Sequence, residues 1–399
     1  MENVNRAKSD NKMLVFIFLA LSYLVSSFHR VSLSVLSVPI SQELGIGMDT
    51  IGTLGSILFF IYAIIQIPCG YLCDRIGPKK IILFSLIVTT IGSLSFGLSN
   101  SVHSLLLSRV LLSIGISTTY IPAITFVRLL FRSEEAGGLT GILLAFGTIG
   151  TIVASKPLQL LVDNFSWRVS FYIFAIIPFI LFLFIVFSVG DIRIKASSSS
   201  LKDGERTKGL GLDRALVSLI IIFTICTGAV QSFQGLWFIP YFVDGYNFAF
   251  TTTSNLLLVF STGYFLGTPI IGRLCDKFDV RKLLPIVSLI NVVLWITLGL
   301  KIAHANIIFL GILLFSIGFF SAGLISIGFY YVGKFTKIDR RALITSILSF
   351  SGYIFTSFLL KFIGGIVSLS RGMDNLNSFF IFYAIIILIC AFIFSYRKE

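Results

Sequence analysis

Four cations, Arg30, Arg109, Lys156 and Lys361, fall inside long apolar runs of this chain, whereas all 18 Asp and Glu can be placed in polar loops or at the ends of those runs. A charge held in hydrocarbon costs roughly 2.5 to 3.5 kcal/mol on insertion scales, so such residues usually face a bundle interior or an aqueous cavity. With no internal carboxylate to pair with, the partner that this pattern predicts is an anion from outside the chain. Arginine suits that task, because its planar fork grips carboxylate or phosphate bidentately and stays charged at any working pH. At 1.5 Å per residue, Arg30 lies roughly 24 Å along its run and Arg109 about 10 Å below the opposite end of its own, so the two guanidinium groups are predicted to share a depth and an anion. For Arg109 the competing reading is a brace on the backbone carbonyls of neighbouring helices. Lys156 and Lys361 come late in their runs, near the external interface. They either snorkel to the headgroups or funnel anions inward.

Other polar residues could complete such a site. His29 precedes Arg30, and an imidazole titrating near pH 6.5 could carry a coupled proton. Neighbouring helical residues point about 100° apart, so the alternative is that His29 faces another helix. The segment QSFQGLWFIPYF places Gln234, Trp237 and Tyr241 at i, i+3 and i+7 on one helical face, after Gln231 and with Gly235 and Pro240 permitting a bend. Amides and aromatic hydroxyls suit the non-ionic part of an organic ligand. For Tyr241 an interfacial aromatic belt is the other reading. Tyr62, Gln66, Tyr120, Tyr264 and Tyr353 are further candidates. The five cysteines, Cys69, Cys73, Cys226, Cys275 and Cys390, have no disulfide-like spacing, and no His cluster completes a zinc site, so neither metal nor cofactor is expected.

The elements that must position these groups are membrane helices. Of the 399 residues 56% are hydrophobic and only 12% charged, with a mean hydropathy of +0.97, whereas a soluble domain carries about 25% charged residues. That excludes an ordinary soluble enzyme. The net charge of +13 does not point to nucleic acid, since the bases are scattered over short loops rather than gathered in one stripe. Apolar runs predict twelve spans, near 13–38, 50–72, 80–98, 103–130, 137–160, 168–190, 214–242, 252–274, 282–301, 305–333, 342–367 and 376–396. The first is read as a retained helix, because no cleavage site follows it. Placing the N-terminus inside puts 24 of the 31 Lys and Arg on the cytoplasmic side, so both termini are predicted cytoplasmic. The segment 191–213, with Ser197 to Ser200 and mixed charges, reads as a cytoplasmic linker between an N-terminal bundle, 1–190, and a C-terminal bundle, 214–399. Gly263 and Gly267, and the small residues Gly147, Thr151 and Ser155, predict close helix contacts.

The two halves also repeat. GYLCDRIGPKK, Gly70 to Lys80, recurs as GRLCDKFDVRK, Gly272 to Lys282, at an offset of 202 residues, and Pro68 and Pro269 precede the two copies. Gly70 and Gly272 would let a helix approach closely. Asp74 and Asp276 could accept hydrogen bonds at a helix N-terminus, and Arg75, Lys79, Lys80 and Lys277 hold the loops inside. Together these residues could form a latch that one conformation makes and another breaks; the alternative is a basic turn that merely orients the chain, a reading with more weight for the second copy, where Asp279 replaces the second Gly.

The first copy resembles the loop 2-3 signature of the major facilitator superfamily, G-x-L-x-D-R-x-G-R/K-K/R, with Pro78 where a base is usual. Arg109 with Gly115 is similar to that superfamily's fourth-helix signature, with Ser113 in place of its first Gly. The fifth-helix Gly-Pro signature of drug/proton antiporters is missing. This resemblance implies twelve transmembrane helices in two six-helix bundles, with span 7 opposite span 1 across a central cavity. Phe28-His29-Arg30 is further similar to the organic-anion branches, the anion:cation symporters and organophosphate antiporters, where a first-helix Arg grips the anion. His29 stands where some of those symporters place a carboxylate.

The resemblance thus implies a secondary transporter, monomeric and multi-pass, in a bacterial inner (cell) membrane. It would move a small organic anion bearing carboxylate or phosphate by rocker-switch alternation, with a proton or counter-anion as coupled partner. A zwitterionic peptide, amino acid or siderophore-like metabolite is the alternative cargo. A membrane-embedded transferase would need paired carboxylates near the interface, and Glu134-Glu135 is a single short surface pair. No enzyme is therefore expected, and no pore filter suggests a channel.

Overall fold

The computed structural model describes residues 12–188, 214–302, 306–336, 338–370 and 375–395. Fifteen helices run in order: α1 (Lys12–Leu44), α2 (Met48–Ile76), α3 (Pro78–Gly97), α4 (Val102–Ser117), α5 (Tyr120–Leu130), α6 (Ser133–Val153), α7 (Lys156–Asn164), α8 (Trp167–Ser188), α9 (Arg214–Ser232), α10 (Phe238–Tyr246), α11 (Phe250–Lys277), α12 (Val280–Gly299), α13 (Ile307–Phe335), α14 (Ile338–Ser370) and α15 (Asn375–Ser395). A π-helical turn, Phe233–Trp237, joins α9 to α10. No strand occurs among the described residues. Hydrocarbon offers the backbone no hydrogen-bonding partner, so apolar runs of this length satisfy their own amides as helices.

Ten stretches of the described chain are long and apolar enough to cross a membrane, or eleven if Gly138–Val153 and Lys156–Asn164, bent by 40°, form one crossing. The last expected span appears as a shorter apolar helix, Leu376–Phe392. The expected linker, 191–213, lies outside the described residues.

Two expected spans are broken, each for a local reason. Between α4 and α5, hydroxyls turn back on the backbone: Ser117 Oγ donates to Ser113 O at 2.6 Å and Thr118 Oγ1 to Gly115 O at 2.9 Å. Such bonds compete with the helix ladder, and Pro122 then sits in the first turn of α5, where a missing N–H costs least. Between α6 and α7 the chain turns at Ser155, and Pro157 takes the second position of the new helix.

Packing follows the small residues. A Cβ on Gly263 or Gly267 would lie 2.1 Å from the carbonyl oxygen of Phe315 or Phe319, so α11 and α13 touch backbone to backbone as the G-x-x-x-G spacing predicts. Gly150 lets α6 approach α1 in the same way, its Cβ position falling 2.2 Å from Leu24 O. A third close seam joins α2 to α14. There a Cβ on Gly52 would meet Leu360 O at 2.7 Å and Gly364 Cα at 3.1 Å, and Ser357 Oγ donates to Ser56 O at 2.9 Å. At the same end of the molecule, Glu43 at the foot of α1 accepts from both Trp167 and Arg168 of α8. Arg168 also donates to Ser99 O at 3.0 Å, fixing α8 against the α3–α4 turn.

Candidate functional site

The α2–α14 seam runs from Met48 and Gly364 down to Tyr62 and Tyr353, whose rings meet edge-on at 4.8 Å. Beyond it the helices part. A cavity of about 380 Å³ opens there between α1, α2, α5 and α6 on one side and α9, α11, α13 and α14 on the other, with Gln66 and Ser349 continuing its walls past the seam. It is therefore shut toward the start of α2 and extends toward the end that carries the α2–α3 turn.

Arg30 is the one charged side chain lining this cavity among the described residues. It sits midway along α1 and is 8% exposed. Its Nη2 donates to Ser27 Oγ at 2.6 Å, one turn earlier on α1, and its Nη1 donates to Tyr353 Oη at 3.3 Å across the cavity. The rings of Tyr23 and Tyr62 lie 5.8 and 5.7 Å from the guanidinium carbon, within reach of a cation–π attraction. Its Nε is buried with no hydrogen-bond partner, and no carboxylate pairs with it among the described residues. Each Nη carries two N–H groups and spends only one, so the group retains donors for a ligand.

Of the other residues expected here, Tyr62 and Gln234 line the cavity. The Nε2 of Gln234 donates to Ser261 Oγ at 3.0 Å, which orients its amide, and the π turn carries this residue. A π turn accommodates one extra residue in a helix and often marks a functional position. Here the segment expected to bend at Gly235 does so as a widened turn, with a Cβ on Gly235 falling 3.2 Å from Arg30 O.

Gln66 and Gln231 line the cavity too, whereas Arg109, Trp237, Tyr241, His29, Lys156 and Lys361 do not. Arg109, 1% exposed, donates from Nε to Leu54 O at 3.1 Å and is absent from the cavity lining. The predicted sharing of one anion between two guanidinium groups is therefore not the arrangement found, and the brace on a backbone carbonyl is. Trp237 is wholly buried against Gly52 beneath the seam, and Tyr241 donates to Asn377 Oδ1 at 2.6 Å behind it. The i, i+3, i+7 face fails because the widened turn changes the register within the segment. His29 points away from the cavity, with Nε2 at 3.1 Å from Ser93 Oγ and its ring stacked on Phe171. Lys156 donates to Gln159 Oε1 at 2.6 Å, and exposed Lys361 donates to Thr53 Oγ1 at 2.6 Å over the outside of the seam.

Around the repeated turns, nothing lies within 4 Å of a Cβ placed on Gly70 or Gly272, so the expected close approach is not made in this conformation. Arg75 stacks at 4.5 Å on the ring of Tyr71, while Lys80, Asp276 and Lys277 are exposed. Lys79 is half-buried. The Asp74 side chain lies outside the described residues.

Sequence reasoning passed over Tyr23, Thr148 and Thr227, which also line the cavity. Tyr23 was within reach, since it stands seven residues before Arg30 and Ser27 lies between them, all on one face of α1. Tyr120, Tyr264 and Tyr353, expected only as further candidates, all line the wall.

The sequence model of the Major Facilitator Superfamily matches residues 19–249 and again 219–399. Among curated relatives, the chain is 25% identical over 287 residues to the cis,cis-muconate transport protein of Acinetobacter baylyi, covering 69% of each chain. It is 28% identical over 168 residues to the probable L-galactonate transporter of Escherichia coli K12, covering 42% of this chain and only 36% of that one. Among solved structures, a bacterial homologue of the human lysosomal transporter Spinster, in an inward-facing and occupied conformation, superposes with a TM-score of 0.77 over 97% of both chains at 16% identity.

Proposed function

The chain belongs to the major facilitator superfamily, and from that premise we propose that it is a secondary transporter moving a small organic anion by rocker-switch alternating access. It is a multi-pass membrane protein whose named relatives are transporters rather than enzymes. The observation that carries the choice of cargo is Arg30: a buried guanidinium in a central cavity, with spare donors and no carboxylate against it. A carboxylate or phosphate docked on it would remove an uncompensated charge from the membrane interior.

In this reading each broken pair, α4 with α5 and α6 with α7, counts as one crossing, as do α9 and α10 joined through the π turn. That gives twelve crossings in two six-helix bundles, 1–190 and 214–399. The termini and the α2–α3 turn lie in the cytoplasm of a bacterial cell, so the conformation described above is inward-facing. The outer seam of α2 and α14 is closed, and the two Gly/Asp turns, whose glycines meet no neighbouring helix here, latch when the cavity opens outward. The unit works as a monomer. Coupling is to a counter-anion or a proton, with His29 acting through α1 rather than by touching cargo.

Uptake into proteoliposomes tests the assignment. Arg30→Ala should abolish transport of the anion in a protein that still elutes as a folded species, and Arg30→Lys should retain charge but lose the fork and most of the rate. Undiminished uptake by Arg30→Ala would remove the anion from the proposal and leave only the transporter.

A further inference from the structure

We infer that the cargo is a singly charged anion with a flat, unsaturated body, of the benzoate type, and that the cavity selects against dianions and zwitterions. This rests on the reading of Arg30 as the anion's partner. Charge balance limits the cargo first. Among the described residues the wall offers one guanidinium and neither a second cation nor any carboxylate. One monoanion neutralises the site. A dianion would leave a negative charge facing only neutral side chains, among them the wall's tyrosine, glutamine, threonine and serine, at a disadvantage of about a hundredfold when an insertion-scale cost is converted to affinity. A zwitterion would neutralise nothing, and its ammonium would find no carboxylate.

The body of the cargo follows from the rings. Tyr23 and Tyr62 flank the guanidinium, and Tyr120 continues the wall from Tyr23 at 5.0 Å between ring centroids. Phe59 backs Tyr353 in a stacked pair at 6.1 Å. A carboxylate held on the Arg30 fork therefore extends its body between aromatic faces and edges, where a flat π-system gains more than a puckered ring. The difference, typical of aromatic pairs, amounts to about 2- to 10-fold in affinity. A cavity of about 380 Å³ stands at the small end of ligand sites, which suits a single-ring acid.

Binding of labelled benzoate to the purified full-length chain in nanodiscs provides the test, with terephthalate, cyclohexanecarboxylate, phenylalanine and benzamide as competitors. Benzoate should bind. Cyclohexanecarboxylate should compete several-fold less well, terephthalate about a hundredfold less well, and benzamide and phenylalanine not measurably. Gln231→Lys, which adds a cation to the opposite wall, should bring terephthalate close to benzoate. Terephthalate within tenfold of benzoate on the unaltered protein, cyclohexanecarboxylate equal to it, or no benzoate binding at millimolar concentration would each overturn the inference. A different pattern sinks the anion reading itself: benzamide or phenylalanine competing as well as benzoate, with binding retained in Arg30→Ala.

Discussion

Replacing Gly52 with alanine should push the conformational equilibrium away from the state described here. The added Cβ would stand 2.7 Å from Leu360 O and 3.1 Å from the Cα of Gly364, and neither backbone atom can swing aside as a flexible side chain would. The α2–α14 seam must then separate by several tenths of an ångström. Overpacking of this kind costs about 1 to 3 kcal/mol. Only the conformation with the seam closed bears that cost, so the population with the seam open should rise about 5- to 150-fold. A cysteine placed at Thr148, on the cavity wall, reports it: labelling by a membrane-impermeant thiol reagent applied from the side that the seam shuts off should accelerate by that factor. All five native cysteines are buried, which keeps the background low. An unchanged labelling rate from that side, in a protein that folds normally, would refute the view that this seam is what closes the cavity.

Gly70→Ala should act in the opposite direction, because its methyl group meets nothing within 4 Å here and would obstruct only a state in which a helix closes over the turn. The same labelling assay should show slower modification from the shut side. Tyr353→Phe removes the 3.3 Å acceptor of Arg30 Nη1 and should change anion affinity by about 2- to 10-fold, read by equilibrium binding. Gly267→Ala, whose Cβ would fall 2.1 Å from Phe319 O, should lower the midpoint of heat denaturation through a cost of about 1 to 3 kcal/mol, with no specific effect on affinity. Arg109→Gln should likewise cost stability, about 1.5 to 3 kcal/mol from the lost charged bond to Leu54 O, and leave the binding constant within about twofold. A large loss of affinity without loss of stability would return Arg109 to the cargo site.

Much of this architecture was legible because hydrocarbon imposes simple rules. Long apolar runs become helices, and Gly263 and Gly267 at a four-residue interval mark a close contact. An arginine with no acid nearby marks a cavity at Arg30, though not at Arg109. Depth along a helix, by contrast, does not say which way a side chain turns. Helix rise gives Arg30 and Arg109 one level and so one ligand, yet Arg109 reaches across to α2 and spends its Nε on a carbonyl. The same ambiguity hid His29, which lies one residue from Arg30 but on another face, against Ser93 and Phe171. The segment from Gln231 to Tyr241 failed differently. A regular helix would keep Gln234, Trp237 and Tyr241 in a row, whereas with the π turn Gln234 lines the cavity and the other two do not. Nothing in the residue types distinguishes a bend at Gly235 from a widened turn there.

The single positive group of the cavity wall, among the described residues, also has an electrical consequence. Cargo of charge −1 seated on Arg30 cancels the charge that the cavity wall carries, so on the wall's account voltage neither assists nor hinders its passage. The vacant carrier returns with the guanidinium bare, and the potential acts on that half of the cycle. Each elementary charge moved through the whole field exchanges about 2.3 kcal/mol per 100 mV with it. Net accumulation of the anion inside an electrically negative cell must therefore be offset by an accompanying cation or by a departing anion.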